Sequence, residues 1–188
     1  MAFLEHSNGV RYPDDLFSTP HWYALRTRSR AEKRSDRLLH AAGVESYAAV
    51  ASVERAWSDR RRRVGLPLFP GYIFARFALS DIAAALSVPG IVGVIRNQGI
   101  PVPLREAEMG AVRRLAEGVS LSGVLPSEAD YLTTGDLVVV TSGPFEGMEG
   151  VLVEARGRAH VSVRIAAIRQ ARSVELERSV LRSRRGGA

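Results

Sequence analysis

The order of strand-like and helix-like segments over residues 21–118 restricts the fold more than any other feature of this sequence. Runs of aromatic and β-branched residues favour strands, and apolar residues spaced three and four apart favour helices. In chain order the pattern predicts a strand at 21–26, a helix at 31–42, strands at 44–57 and 66–77, a helix at 80–86, a strand at 91–95 and a helix at 104–117. The order β-α-β-β-α-β is that of a ferredoxin-like α+β domain, an antiparallel sheet with its helices on one face.

Local signals predict where these helices begin and end. Ser29 and Glu32 have the spacing of a capping box, in which each side chain bonds the backbone N–H of the other residue. Gly43 and Gly118 follow apolar helical patterns, and glycine readily adopts the left-handed conformation that ends a helix. We therefore expect helices that begin after Ser29 and end at Gly43 and Gly118.

The composition changes after residue 118. Residues 119–131 are rich in Ser, Gly and Pro and predict a linker. Over residues 132–183, short β-branched runs alternate with Gly and Pro, which is typical of a small β-barrel. Residues 1–20 and 184–188 carry no periodic pattern, so we expect disordered tails.

The distribution of charge suggests contact with a polyanion. The formal net charge is +6, and residues 21–118 hold sixteen basic against nine acidic side chains. Four adjacent arginines, Arg60, Arg61, Arg62 and Arg63, fall near the tip of the expected hairpin between residues 44 and 77. A cluster of this kind is typical of a surface that binds phosphates, although arginine supplies 25 of the 26 basic residues and a solvated tip is the alternative.

No pattern of catalytic or metal-binding residues is evident. Cysteine is absent, and His6, His21, His40 and His160 lack metal-ligand spacing. The segment Gly143–Gly150 is glycine-rich but is neither a Walker loop nor a dinucleotide fingerprint. No apolar run is long enough to span a bilayer, and no secretory signal is evident. We expect a cytoplasmic monomer that is not an enzyme, with no cofactor, no metal and no membrane partner.

Several short motifs, taken together, resemble one family. Trp22-Tyr23-Ala24, Phe69-Pro70-Gly71-Tyr72 and Ser87-Val88-Pro89 resemble the N-terminal domain of NusG proteins. The segments Gly135–Val138 and Gly143–Gly147, followed by Gly150-Val151, resemble the KOW motif of the barrel that follows in the same family. The likeness covers roughly residues 21–182 in the expected order. It implies an N-terminal domain over 21–118 and a KOW domain, a small SH3-like β-barrel, over 132–183.

The resemblance implies a transcription elongation factor that binds the clamp helices of the RNA polymerase largest subunit, suppresses pausing and touches non-template DNA or nascent RNA. The positions that match the polymerase-binding pocket are Trp22, Tyr23, Phe69, Tyr72 and Ile95. The KOW domain of the family binds Rho or the ribosomal protein NusE, and the corresponding partner-binding positions here are Phe145, Met148 and Ile168.

Residues 57–72 look more like those of specialised paralogues of the UpxY, LoaP and RfaH kind, which act on individual operons as processive antiterminators. One alternative is a housekeeping NusG that acts with Rho and the ribosome. An alternative of another class is an RNA-binding, ribosome-associated KOW protein. Two departures bear on the KOW partner: the segment 164–173 is about two residues longer than the family's usual loop, and Met148 stands where an aromatic residue is common.

Helical refolding of the C-terminal domain, as in RfaH, is not expected. Residues 137–140, 151–153 and 161–165 are rich in β-branched residues, and Gly143, Pro144, Gly147, Gly150 and Gly157 interrupt any helix. We expect residues 135–181 to form a β-barrel in the free protein, on a flexible linker that leaves Phe69 and Tyr72 uncovered.

Overall fold

The structure is a computed structural model. It describes residues 3–5, 11–56, 61–132, 135–155 and 157–184. The side chains of residues 3–5, 11, 12, 55, 56 and 155 lie outside that description.

The described residues form four α-helices and seventeen short strands. The helices are α1 (Asp14–Ser18), α2 (Glu32–Ala41), α3 (Ile82–Leu86) and α4 (Glu106–Ser122). The strands of the first hundred residues are β1 (Phe3–Glu5), β2 (Arg11–Pro13), β3 (His21–Thr27), β4 (Glu45–Tyr47), β5 (Val50–Ala56), β6 (Arg61–Pro67), β7 (Tyr72–Phe77), β8 (Ile91–Val94), β9 (Arg96–Asn97) and β10 (Ile100–Pro101). The remaining strands are β11 (Pro103–Leu104), β12 (Ser127–Ala129), β13 (Leu137–Val140), β14 (Glu149–Ala155), β15 (Arg158–Ile165), β16 (Gln170–Glu175) and β17 (Leu181–Ser183). Short 3-10 helices lie at Leu79–Asp81, Ala166–Ile168 and Arg178–Val180.

The chain divides into two compact units. Unit 1 comprises residues 1–48 and 69–105, and unit 2 comprises residues 49–68 and 106–188. The predicted boundary at residue 118 differs from this division, because the hairpin β5–β6 and helix α4 group with the barrel strands.

Unit 1 confirms the ferredoxin-like arrangement. Strand β3 lies between β7 and β8, and β4 pairs with the outer side of β7, so the main strands follow the order β8-β3-β7-β4. All four are antiparallel to their neighbours, and β11 adds to the end of β3. Both α2 and α3 contribute to one core, through Leu39 on α2 and through Ile82 and Ala85 on α3, together with Leu25 and Ile73 of the sheet. The helices therefore lie on one face, as the pattern predicted.

The single long hairpin expected over residues 44–77 is replaced by two separate strand pairs. Strand β4 pairs with β7 in the sheet of unit 1. Strands β5 and β6 form their own two-stranded hairpin in unit 2, with Val53 opposite Val64. Residues 57–60, which connect these two strands in the sequence, lie outside the described residues.

Unit 2 confirms the β character of the C-terminal region. Six antiparallel strands follow the order β12-β16-β15-β14-β13-β17. Inward-facing residues such as Val138, Val161, Val163 and Val174 are buried, which accounts for the β-branched runs in the sequence. Helix α4 packs along β5, and the Ser120 hydroxyl accepts a hydrogen bond of 2.9 Å from the Ser52 backbone N–H.

Two predicted helix boundaries are wrong. Helix α2 begins at Glu32 with no side-chain cap at Ala31, and the Glu32 carboxylate instead accepts a 2.8 Å hydrogen bond from the Gly71 N–H. Helix α4 continues through Gly118 to Ser122. Gly118 is therefore inside the helix, and glycine fits this position because the ring of Phe145 occupies the space of a Cβ. The nearest ring atom is 2.2 Å from an ideal Cβ position.

The predicted tails and linker contain secondary structure. Strands β1 and β2 pair, and α1 follows at once with Leu16 buried in the core of unit 1. Within the predicted linker, residues 119–122 belong to α4 and residues 127–129 form strand β12. These elements are too short to show a period in the sequence. At the other end, the Arg184 N–H donates to the Leu137 carbonyl, and residues 185–188 lie outside the described part.

Candidate functional site

The sheet of unit 1 has two chemically different faces. Side chains alternate along a strand, so Tyr23 and Leu25 share the face with Ile73 and Ala75, where α2 and α3 pack. Trp22 and Phe74 point to the opposite face, which we call the aromatic face. It carries Trp22, Ala24 and Arg26 of β3, Tyr72, Phe74 and Arg76 of β7, and the neighbouring Phe69 and Ile95.

Four of the five residues expected to bind polymerase lie on the aromatic face. Phe69 meets Phe74 edge to face with ring centroids 6.1 Å apart. Ile95 follows Val94, whose side chain is in the core on the helix-bearing face, so alternation directs Ile95 to the aromatic face. Tyr72 and Ile95 are half-buried, whereas Trp22 and Phe69 are only 2% and 1% exposed. The Phe69 ring is therefore packed rather than exposed, and the expectation that the C-terminal barrel leaves it uncovered stays a prediction.

Tyr23 lies apart from the other four. Its side chain is on the helix-bearing face, fully buried, with its ring centroid 4.9 Å from that of Phe77. The alternation of β3 separates it from Trp22, so these adjacent aromatic residues cannot both face the same partner. Its position is that of a core residue.

The turn that precedes Tyr72 is held in place by two other elements. Gly71 has φ of +82°, a conformation that side chains disfavour and glycine adopts readily. Its N–H donates to the Glu32 carboxylate on α2, and its carbonyl accepts from the Thr27 N–H at the end of β3. The Tyr72 N–H completes the turn by donating to the Phe69 carbonyl at 3.1 Å. Phe69 and Tyr72 are thus positioned by a helix and a strand rather than by a free loop.

The arginine cluster lies along a strand. Arg61, Arg62 and Arg63 occupy the start of β6, and all three side chains are exposed. Because neighbouring residues alternate, Arg61 and Arg63 point to one side of the hairpin and Arg62 to the other. Arg63 is opposite Glu54 in the register, whereas Arg62 is opposite another arginine, Arg55. Arg60 lies outside the described residues.

A second basic surface, which the sequence motifs did not indicate, lies after the end of β3 and on the outer side of α2. Its exposed members are Arg28, Arg30, Lys33, Arg34 and Arg37. Arg26 is close to them in the chain, but it lies on the aromatic face. The two acids of this stretch are engaged elsewhere: Glu32 binds the Gly71 N–H, and the Asp36 carboxylate accepts from the Ser46 hydroxyl at 2.7 Å. The signal in the sequence was six basic residues against two acids among residues 26–37. We call this set the α2 basic surface.

The three KOW positions differ in accessibility. Phe145 and Met148 are buried, and Ile168 is half-buried in the 3-10 helix between β15 and β16. Within unit 2, Phe145 packs against Gly118 of α4, and the neighbouring Glu146 carbonyl accepts a 3.1 Å hydrogen bond from Arg114. Glu108, also on α4, accepts from the Ala166 N–H at 3.0 Å. Helix α4 therefore contacts both loops that carry these positions.

Over the described residues, no group of three or more His, Asp or Glu side chains is arranged to hold a metal ion. In the same part of the chain, no helix combines the length and the apolar character that crossing a membrane requires.

Comparison with known proteins identifies the family. A family model described as transcription termination factor nusG matches residues 20–113. The transcription termination/antitermination protein NusG of Rickettsia bellii is 26% identical over 180 residues, which cover 87% of this chain and 92% of the relative. The protein of the same name from Deinococcus radiodurans is 31% identical over 142 residues, covering 67% and 73%.

Among solved structures, one titled "Domain interaction in Thermotoga maritima NusG" is 28% identical and covers 88% of this chain and 97% of that one, with a TM-score of 0.47. The family model spans half of the chain, and the curated relatives extend the match into the C-terminal region. The chain belongs to the NusG family, as its motifs indicated.

Proposed function

We propose that this protein is a transcription elongation factor that binds the clamp helices of RNA polymerase through the aromatic face of unit 1. The observation that carries the proposal is the grouping of Trp22, Phe69, Tyr72 and Ile95 on a sheet face that bears neither α2 nor α3. Apolar aromatic side chains presented by a rigid sheet suit a helical partner, since such residues are enriched at the centres of interfaces.

The exposure of these residues suggests the order in which they make contact. Tyr72 and Ile95 are accessible enough to meet a partner first. Trp22 and Phe69 are buried, so their use in binding requires a rearrangement that exposes them. Tyr23 is not part of the proposal, because its ring belongs to the core on the other face.

Nucleic acid is the second proposed partner. Arg61, Arg62 and Arg63, with Arg60 next to them in the sequence, supply exposed cations on the hairpin β5–β6. The α2 basic surface supplies five more, while the two acids of the same stretch, Glu32 and Asp36, accept hydrogen bonds from Gly71 and Ser46. Non-template DNA or nascent RNA carries the phosphates that such cations bind, and the contribution of each contact falls with salt.

The more specific role we propose is that of an operon-specific processive antiterminator, which suppresses pausing and modulates termination. Its support is the resemblance of residues 57–72 to those of specialised paralogues. Binding of NusE or Rho through Phe145, Met148 and Ile168 is also proposed, and it requires Phe145 to leave its position against α4.

Titration with a purified clamp-helix fragment tests the polymerase contact. Tyr72→Ala should weaken binding by about 2 kcal/mol, roughly 30-fold, as expected of an aromatic anchor. Leu86→Ala is the matched control, since Leu86 is a half-buried apolar residue packed against the core on the helix-bearing side. Equal affinities for the two folded variants would remove Tyr72 from the site.

A transcription assay separates the more specific role from its alternatives. An antiterminator should shorten pauses and raise read-through at a Rho-dependent terminator on its own operon. A housekeeping NusG should instead increase Rho-dependent termination. Recovery of ribosomes without polymerase from the host would favour the ribosome-associated alternative.

A further inference from the structure

The sheet of unit 2 has an edge that the chain covers with its own connecting segment. Strand β16 pairs with β15 on one side, and on the other side it pairs with the three-residue strand β12. The register places Ser127, Glu128 and Ala129 opposite Ser173, Arg172 and Ala171. Strand β16 runs from Gln170 to Glu175, so β12 covers only the middle of a six-residue edge.

The contacts of β12 have the form of a bound peptide. The Ser127 and Ser173 hydroxyls are 3.1 Å apart, and a Glu128 carboxylate oxygen is 3.2 Å from Nη1 of Arg172. Arg172 is itself fixed, because its Nε donates to the Leu68 carbonyl at 2.7 Å and its side chain is only 11% exposed. A buried, preoriented guanidinium therefore selects a carboxylate, and the small buried side chains of Ala171 and Ser173 suit small residues on either side of it.

The same contacts show that β12 is held weakly. The Glu128 side chain is 87% exposed, so water can replace Arg172 as its partner, whereas a cation in its place would be repelled by the buried guanidinium. Three residues of strand pairing are also a short ladder. The tether also favours the pairing of β12, because a segment on a short connection has an effective concentration in the millimolar range.

We infer that the edge of β16 is a strand-addition site for an extended segment of a partner protein, with a carboxylate at the position of Glu128 and small residues on either side. In the free chain β12 occupies this site as an internal competitor. Open strand edges bind other strands through backbone hydrogen bonds, and side-chain pockets such as Arg172 give specificity. The site is separate from Phe145, and the inference does not depend on the polymerase proposal.

A peptide of residues 124–131, labelled with a fluorophore, serves as the probe. The full-length Glu128→Lys variant places two cations opposite each other and should release β12 without touching the barrel core. We expect this variant to bind the peptide at least tenfold more tightly than the native chain does. A peptide that carries the Glu128→Lys change should bind the variant at least tenfold more weakly than the native peptide. Glu117→Lys is the matched control, with the same change of charge at an exposed position of α4.

A second variant carries Glu128→Pro and Ala129→Pro together. It removes two consecutive N–H groups, one of which faces β16, and so it should also release β12. This variant should bind the native peptide more tightly than the native chain does. NMR shifts on peptide addition should centre on the amides of residues 170–175. Equal binding by the Glu128→Lys and Glu117→Lys chains, indifference to the charge of the peptide, or shifts centred elsewhere would each overturn the inference.

Discussion

Replacing Gly118 with alanine tests the packing of Phe145 on helix α4. A Cβ added at Gly118 would meet three atoms of the Phe145 ring at 2.2, 2.6 and 2.8 Å. Non-bonded atoms in proteins essentially never lie within 3.0 Å of a Cβ, so the ring has to move. Gly118 is inside a seventeen-residue helix and the ring is part of a turn, which makes the ring the element that yields.

Two contributions of opposite sign set the magnitude. Alanine in place of glycine in a helix interior stabilises by about 0.8–1.0 kcal/mol. Expelling Phe145, which is 3% exposed, forfeits up to about 1.5–3 kcal/mol of apolar burial. We expect a net decrease of about 1 kcal/mol in the free energy of unfolding, which corresponds to a fall in Tm of roughly 2–4 °C for a chain of this length.

Thermal unfolding followed by circular dichroism measures the change, and NMR of the Phe145 ring reports whether it leaves α4. Gly110→Ala is the control, because Gly110 is on the same helix and an added Cβ there would meet nothing within 4 Å. That substitution should stabilise by about 1 kcal/mol. In a Phe145→Ala background, Gly118→Ala should stabilise as well. If Gly118→Ala stabilises the otherwise native chain as much as Gly110→Ala does, Phe145 does not pack where the structure puts it.

Three further predictions follow from the site. Replacing Arg61–Arg63 with Gln should reduce the slope of log affinity for single-stranded nucleic acid against log salt by about 2, at about 0.7 per phosphate contact; an unchanged slope in a filter-binding titration would mean that these side chains are only solvated. Glu32→Ala leaves the Gly71 N–H without its acceptor and should lower the free energy of unfolding by about 1–3 kcal/mol. Glu32→Gln keeps an oxygen and should lower it less; equal losses for the two variants in urea denaturation would contradict this. Gly71→Ala forces an alanine to adopt a backbone φ of +82° and should destabilise the protein by about 1–2 kcal/mol. Gly93 has open space and no positive φ, so Gly93→Ala should change stability much less. Similar calorimetric Tm values for the two variants would refute the assigned turn.

The α+β class and the β character of the C-terminal half were readable from the sequence because they depend on local periods. The aromatic and aliphatic run of β3, the β-branched run of β15 and the helical spacing of α2 are short-range patterns, and glycine at Gly43 or Gly71 reflects a local φ requirement. The family followed from motifs that the comparisons confirm. Trp22, Phe69, Tyr72 and Ile95 were named by resemblance, and their shared face was not visible until the strands were paired.

Only the tertiary structure decided the features that join distant residues. The alternation that puts Trp22 and Tyr23 on opposite faces does not say which face bears the helices, and only the structure places Tyr23 on the helix-bearing face. Glu32 has the spacing of a helix cap, but its carboxylate binds the Gly71 N–H 39 residues away, and that choice depends on the approach of two elements. Gly118 has the sequence of a helix stop and is instead the place where the Phe145 ring fits. Strand β12 is three residues long and has no period of its own; it is a strand because β16, more than forty residues later, presents an edge that can bind it.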